Sequence, residues 1–326
     1  MDNKTWFKTQ AKFGMMIHWG LYSILGGEYK GERMGPHFSE WAQSFFEIPC
    51  DEYNKLTKAF NPIYFDAEEW VKCAKDAGMT YMVVTSKHHD GFALFKSEAS
   101  DFNVVDATPF KRDIIKELSD ACRKYGLKFG LYYSQELDWH EFNGGGYDKG
   151  RENLGVMYYA NKWDFKDDSK KDFDIYFRNK VIPQVTELLT NYGDICLMWF
   201  DMGSQITEEQ SQELYDLVKS IQPDCLVNSR IGNKMGDYRS LNDNALPSEP
   251  MDDLAESPIT MNQSWGYKYY DNNWKDVYEI FRIKNFCNRR GANLLLNIGP
   301  DHLGRFPVPC SDVLTQMSDM LKKFND

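Results

Sequence analysis

The sequence predicts an α/β protein, a single-domain (β/α)8 TIM-like barrel, and three observations lead there. Short apolar runs alternate with amphipathic segments of helical period along the chain. Most runs are apolar at successive positions, which marks strands buried on both faces. Five consecutive runs end in reactive or hydrogen-bonding side chains, and in such a barrel the C-terminal strand ends build the active site.

The expected strands are Lys12–Gly20, Tyr81–Lys87, Lys128–Ser134, Cys196–Asp201, Cys225–Arg230, Thr260–Tyr267 and Asn293–Gly299. Between them, Ala67–Ala77, Arg112–Tyr125, Phe173–Asn191 and Thr207–Ile221 carry apolar residues at helical spacing. The last opens with Thr207-Glu208-Glu209-Gln210, a capping-box pattern. The first five strands end in His18-Trp19-Gly20, Lys87-His88-His89-Asp90, Tyr132-Tyr133-Ser134, Trp199-Phe200-Asp201 and Asn228-Ser229-Arg230.

A long segment at about 135–172 holds Gly144-Gly145-Gly146 and four aromatic residues from Tyr147 to Trp163. Loops of this length are usually functional, and a lid is expected here. The 326 residues suit one barrel and leave little room for a second domain. Residues 1–326 are therefore expected to form one catalytic domain without a C-terminal β-sandwich.

The formal net charge of −11 argues against general nucleic-acid binding, which needs clustered Lys and Arg. No stretch approaches the roughly 18 apolar residues that would span a bilayer. The polar start, Met1 to Trp6, has no signal-peptide core, so a cytoplasmic protein is expected, without a membrane partner. Homo-oligomers are compatible with the composition. The seven cysteines are scattered and never form CxxC, which reads as buried reduced thiols.

The strand-end residues suit glycosidic chemistry, which needs two carboxyl groups and a surface that grips sugar. Asp201 follows Leu197-Met198-Trp199-Phe200, an apolar run that would hold it rigidly. A carboxylate ending a buried strand must meet donors, a cation or a ligand. For the second carboxyl, Asp237, Asp243, Glu249 and Glu256 all remain open, because spacing alone does not choose among them. His18, His88 and His89 fit a metal poorly, since neighbours on a strand point to opposite faces and HExxH is absent. No metal or cofactor is expected. Imidazole can both donate to and accept from sugar hydroxyls. Trp41 and Trp265, embedded among polar residues, suit stacking against a sugar.

Together these motifs resemble glycoside hydrolase family 29, the α-L-fucosidases. The matching stretches run in order along nearly the whole chain. They are Lys12-Phe13-Gly14-Met15-Met16-Ile17-His18-Trp19-Gly20, Lys87-His88-His89-Asp90-Gly91-Phe92, Lys111-Arg112-Asp113, Gly130-Leu131-Tyr132-Tyr133-Ser134, Trp199-Phe200-Asp201, Asn228-Ser229-Arg230, Ser264-Trp265-Gly266-Tyr267 and Asn293 to Pro300. The resemblance implies a retaining α-L-fucosidase on a barrel, acting without cofactor on an oligosaccharide or glycoconjugate. It places Asp201 on the nucleophile position. It places His18, His88, His89, Tyr132, Trp199, Arg230 and Trp265 around the fucose, with Glu40-Trp41 as a further sugar-binding pair.

Two features depart from the family pattern. Many members carry a β-sandwich after the barrel. Many also place a Glu acid/base where this chain has Asn242, which supplies no proton. The adjacent Asp243, within Ser240-Leu241-Asn242-Asp243-Asn244, resembles the short single-domain lactobacillal branch that cleaves α-1,6-linked fucose. In that branch the Asp is the acid/base; Glu256 is the alternative. Two other readings compete: a related exo-glycosidase such as an α-L-galactosidase, and a catalytically weak fucose-binding barrel, which Asn242 would favour.

Overall fold

The computed structural model describes residues 1–147 and 157–325. Among them, eight parallel strands form one sheet: β1 (Phe13–Ile17), β2 (Tyr81–Lys87), β3 (Lys128–Ser134), β4 (Leu197–Asp201), β5 (Leu226–Val227), β6 (Arg239–Ser240), β7 (Ala255–Thr260) and β8 (Ala292–Ile298). Each strand pairs with its sequence neighbour, and β1 pairs with β8. The circle closes through a parallel bridge between Asn228 and Tyr238, beside the Ser229 N–H bond to the Tyr238 carbonyl at 2.9 Å. This is the expected (β/α)8 barrel.

The seven expected strands become eight. The run Cys225–Arg230 keeps only Leu226–Val227 as strand, because Ser229–Ile231 turns into a short 3-10 helix. The run Thr260–Tyr267 is corrected: the strand is Ala255–Thr260, and residues 261–267 leave the sheet and cross the barrel mouth. Glu256, expected in an irregular loop, therefore lies within β7.

Side-chain alternation sorts the core into two layers. Met15, Ile17, Met198 and Phe200 point outward into a large cluster with the helices. Met16, Tyr81, Val83, Tyr132, Leu197, Trp199 and Leu295 fill the barrel interior. Gly14 has a specific reason to be glycine: a Cβ there would sit 2.3 Å from the Tyr81 ring, which occupies the interior beside it. Helix α1 (Asn3–Thr9) plugs the N-terminal end, packing Trp6 on Tyr81 at 5.6 Å and Phe7 on Tyr238 at 4.6 Å between ring centroids.

The outer layer follows local signals. Helix α2 (Ala67–Asp76) is capped by Asp66, and α3 (Ile114–Tyr125) by Asp113 with Gly126 left-handed at its end. Upstream of α4 (Ile182–Asn191), a π-turn at Phe177–Val181 precedes Pro183, whose missing N–H cannot continue a regular ladder. Helix α5 (Glu208–Ile221) begins with the expected Thr207–Gln210 capping box. Helices α6 (Val277–Arg289) and α7 (Val308–Asn325) complete the ring. No described helix is long and apolar enough to cross a membrane. All seven cysteines are free thiols. Of the expected lid, residues 148–156 lie outside the described residues; the rest is irregular apart from short helical turns.

Candidate active site

Strand register builds the floor of a cavity of about 230 Å³ at the C-terminal mouth. The last pairs of β3 and β4 are Tyr132 with Trp199, Tyr133 with Phe200 and Ser134 with Asp201. The two-residue period then places Trp199 and Asp201 on one face. Tyr132 and Trp199 stack, 5.4 Å between centroids and 19° between planes.

Asp201 is buried, and both carboxylate oxygens are engaged. Tyr132 Oη donates to Oδ2 at 2.8 Å. Arg230 Nη1 donates to Oδ1 at 3.1 Å, and the Met202 N–H donates to the same oxygen at 3.0 Å. His89 Nε2 stands 3.8 Å from Oδ2. Burial holds the Tyr132 phenol well above its ordinary pKa, so it keeps its proton to donate.

Arg230 joins the two carboxylates. While Nη1 holds Asp201, Nη2 donates to Asp243 Oδ1 at 2.6 Å and to the Leu241 carbonyl at 2.9 Å. Its guanidinium lies over Trp199, 4.5 Å from the ring centroid. Asp243 stands at the mouth with its side chain 46% exposed.

His88 and His89 both lie in the pocket because β2 ends at Lys87, which releases the following residues from strand alternation; His18 follows the end of β1. The His88 and His89 rings pack 4.0 Å apart. His89 Nδ1 pairs with Ser134 Oγ at 2.7 Å, and His18 Nδ1 with Asn297 Oδ1 at 2.7 Å. Burial lowers His18 to about 4 and drives His88 well down, so both are neutral near pH 7. His88 Nδ1 and the Trp265 Nε1–H are buried without a protein partner among the described residues. Both residues line the pocket, and an unpaired buried polar group in its wall calls for an explanation. Glu40 accepts from the Gly266 N–H at 2.9 Å, and burial raises it to about 7.

The cavity lining gathers His18, Glu40, Trp41, His88, His89, Tyr132, Trp199, Asp201, Arg230, Asp243 and Trp265. Glu256 is not among them. It is fully buried in the barrel beneath Trp199, accepting from Trp199 Nε1 at 2.9 Å and from Tyr81 Oη at 2.6 Å. Phe38, Met157, Tyr159 and Met202 also line the cavity and were not anticipated. Tyr159 belongs to the aromatic run of the long loop, which was the one signal available for it. Trp19 and Trp139 are core residues, with Trp19 packed on Phe60, Phe65 and Trp70. No group of three or more His, Cys, Asp or Glu is placed to hold a metal among the described residues.

The family model for α-L-fucosidase matches residues 1–326. The chain belongs to the α-L-fucosidase family. It is thus a glycoside hydrolase, as its relatives are. Human plasma α-L-fucosidase is 29% identical over 337 residues, covering 97% of this chain and 67% of the relative. The chain spans about two thirds of the length of the curated relatives it matches. The α-L-fucosidase AlfC from Lactobacillus casei, in complex with α-L-fucose product, superposes with a TM-score of 0.94 at 51% identity, over 100% of this chain and 99% of that one. An aspartate-to-alanine variant of AlfC, in complex with Fucα(1,6)GlcNAc, gives 0.93 at 50% identity, over 98% and 99%.

Glu256 is expected to make the stability of this α-L-fucosidase depend on pH. Burial pushes its carboxyl up to about 7, against the lowering effect of the Tyr81 and Trp199 bonds. Unfolded, the group loses its proton near its ordinary value of 4.5; folded, it keeps it until about 7. Between those limits the folded chain binds the extra proton, so this contribution falls as pH rises. Urea unfolding at pH 5 and pH 8 should show Glu256→Gln losing less stability than the parent over that interval, by on the order of a few kcal/mol. Equal losses would contradict it.

Proposed function

We propose that the chain is a retaining exo-α-L-fucosidase in which Asp201 is the nucleophile and Asp243 the acid/base, with the barrel as the catalytic unit. One observation carries this reading: a single guanidinium, Arg230, bonds both carboxylates at the floor and mouth of one sugar-sized cavity.

In the first step an Asp201 oxygen attacks C1 of the fucosyl group. The C1–O bond breaks, and Asp243 gives its proton to the departing oxygen. In the second step Asp243 takes a proton from water, whose oxygen displaces Asp201 and releases fucose with retained configuration. Tyr132 and Arg230 hold the attacking carboxylate without consuming its charge in a proton transfer. Neutral His18 and His88, with Glu40, His89 and the Trp265 N–H, supply donors and acceptors for sugar hydroxyls. Trp41 and Trp199 give the pocket aromatic surface. A site built of matched polar groups rejects sugars that lack the partner hydroxyl.

Glu256 is less suited to the acid role, because its two oxygens already accept from Tyr81 and Trp199 and it does not line the cavity. The fucose and Fucα(1,6)GlcNAc bound to AlfC, together with the Asn242-Asp243-Asn244 pattern, support α-1,6-fucosyl-N-acetylglucosamine as the preferred linkage.

Asp201→Ala should fold and release no 4-nitrophenol from the aryl fucoside at rates above about one ten-thousandth of the parent. Asp243→Ala should be revived by azide or by a better leaving group, and Glu256→Ala should not; the reverse pattern would exchange their roles. Among fucosyl disaccharides, the α-1,6-linked N-acetylglucosamine should give the highest kcat/KM, and a preference for another linkage would refute the specificity.

A further inference from the structure

The geometry points to Gln135 as a positioning residue: its carboxamide ties the backbone N–H of Asp201 to the backbone carbonyl of Arg230, and so fixes the two halves of the Asp201–Arg230 pair. The inference rests on Asp201 being the nucleophile.

Three features of the strand end lead to it. First, the pairing of β3 with β4 finishes at Ser134 and Asp201. The next residue, Gln135, continues it with a side chain: Oε1 accepts from the Asp201 N–H at 2.7 Å, and Nε2 donates to the Arg230 carbonyl at 2.9 Å. Gln135 is fully buried, so water does not compete for either bond. It does not line the cavity.

Second, Asp201 precedes a strained residue. Met202 has φ of 68°, a left-handed conformation that a long side chain rarely adopts. Such a residue persists only where its surroundings over-determine it. Here the clamp acts on both sides of the turn. Gln135 holds Asp201 before it, and the neighbouring Glu136 accepts from the Ser204 and Gln205 N–H groups after it, the latter at 2.8 Å.

Third, the Arg230 carbonyl is pressed against the same turn. A Cβ on Gly203 would lie 2.5 Å from that oxygen. The Gln135 amide thus pins two segments already in direct contact. One carries the nucleophile and the other carries the guanidinium that joins both carboxylates.

Two variants test the role on 4-nitrophenyl α-L-fucoside. Gln135→Met keeps the length of the side chain and removes both bonds. Gln135→Glu keeps the acceptor for the Asp201 N–H and loses the amide donor to Arg230. Misplacing a reacting group by about 1 Å costs up to about a hundredfold, so kcat should fall about ten- to hundredfold in Gln135→Met with KM within about threefold of the parent. Gln135→Glu should lie between the two. If Gln135→Met does not fold, a fall in kcat at steady KM in Gln135→Glu decides in favour. Parental kcat in the folded variants, or a loss confined to KM or to the thermal midpoint, overturns the positioning role. Asp201→Ala assayed alongside separates the two claims. Turnover by that variant would remove the nucleophile reading and this inference with it. Parental kcat in the Gln135 variants beside an inactive Asp201→Ala removes the positioning role alone.

Discussion

A carboxylate at the end of a wholly buried strand is the constraint around which the mouth of this barrel is organised. Asp201 ends β4, whose residues are all buried, and its charge must be met locally. Tyr132 and Arg230 each take one oxygen, and they come from β3 and from the turn after β5, on either side. Register sets Tyr132 and Asp201, and the 3-10 turn after β5 sets Arg230, so backbone structure on both sides aims the carboxylate into the cavity. A charge held this way loses little conformational freedom when substrate arrives, which is the advantage of a preorganised site.

Beneath this layer lies a second one that never meets the cavity. Glu256 on β7 fastens the Trp199 indole, and Trp199 in turn stacks with the Tyr132 ring and packs against the Arg230 guanidinium. Both groups that hold Asp201 therefore rest on one tryptophan. Tyr81, for which Gly14 leaves room, supplies the other hydrogen bond to Glu256. The interior of the barrel is thus connected from the plugging helix α1, through Tyr81 and Glu256, to the reacting centre. Packing and chemistry are parts of the same column of side chains.

Much of this was legible in the sequence. Strands β1 to β4 announce themselves as apolar runs, and His18, His88, His89, Tyr132, Trp199 and Asp201 from their ends line one cavity, whereas Trp19, Lys87, Asp90, Tyr133 and Ser134 do not. What escaped had physical reasons. Strand β6 is only Arg239–Ser240, too short and too polar to show a pattern. Strand β7 contains Glu256 and Pro258, which read as loop. Pro258 is tolerated because β6 pairs only as far as Glu256, so no ladder on that side requires its missing N–H. Phe38, Met157, Tyr159 and Met202 reach the cavity from loops, where no periodicity reports direction. Gln135 was invisible for a related reason: a glutamine after a strand is usually solvated, and only the fold reveals that its amide lies between two backbones.

The chemistry at the barrel mouth turns on Asp201 forming a bond to the anomeric carbon. The most direct measurement is to trap that species with a slow-reacting 2-deoxy-2-fluoro-fucosyl fluoride and map the labelled peptide by mass spectrometry. One fucosyl label per chain is expected, carried by the peptide that contains Asp201, with activity lost in step with labelling. A label on any other residue, or an active enzyme that hydrolyses the reagent with inversion and never becomes labelled, would contradict it.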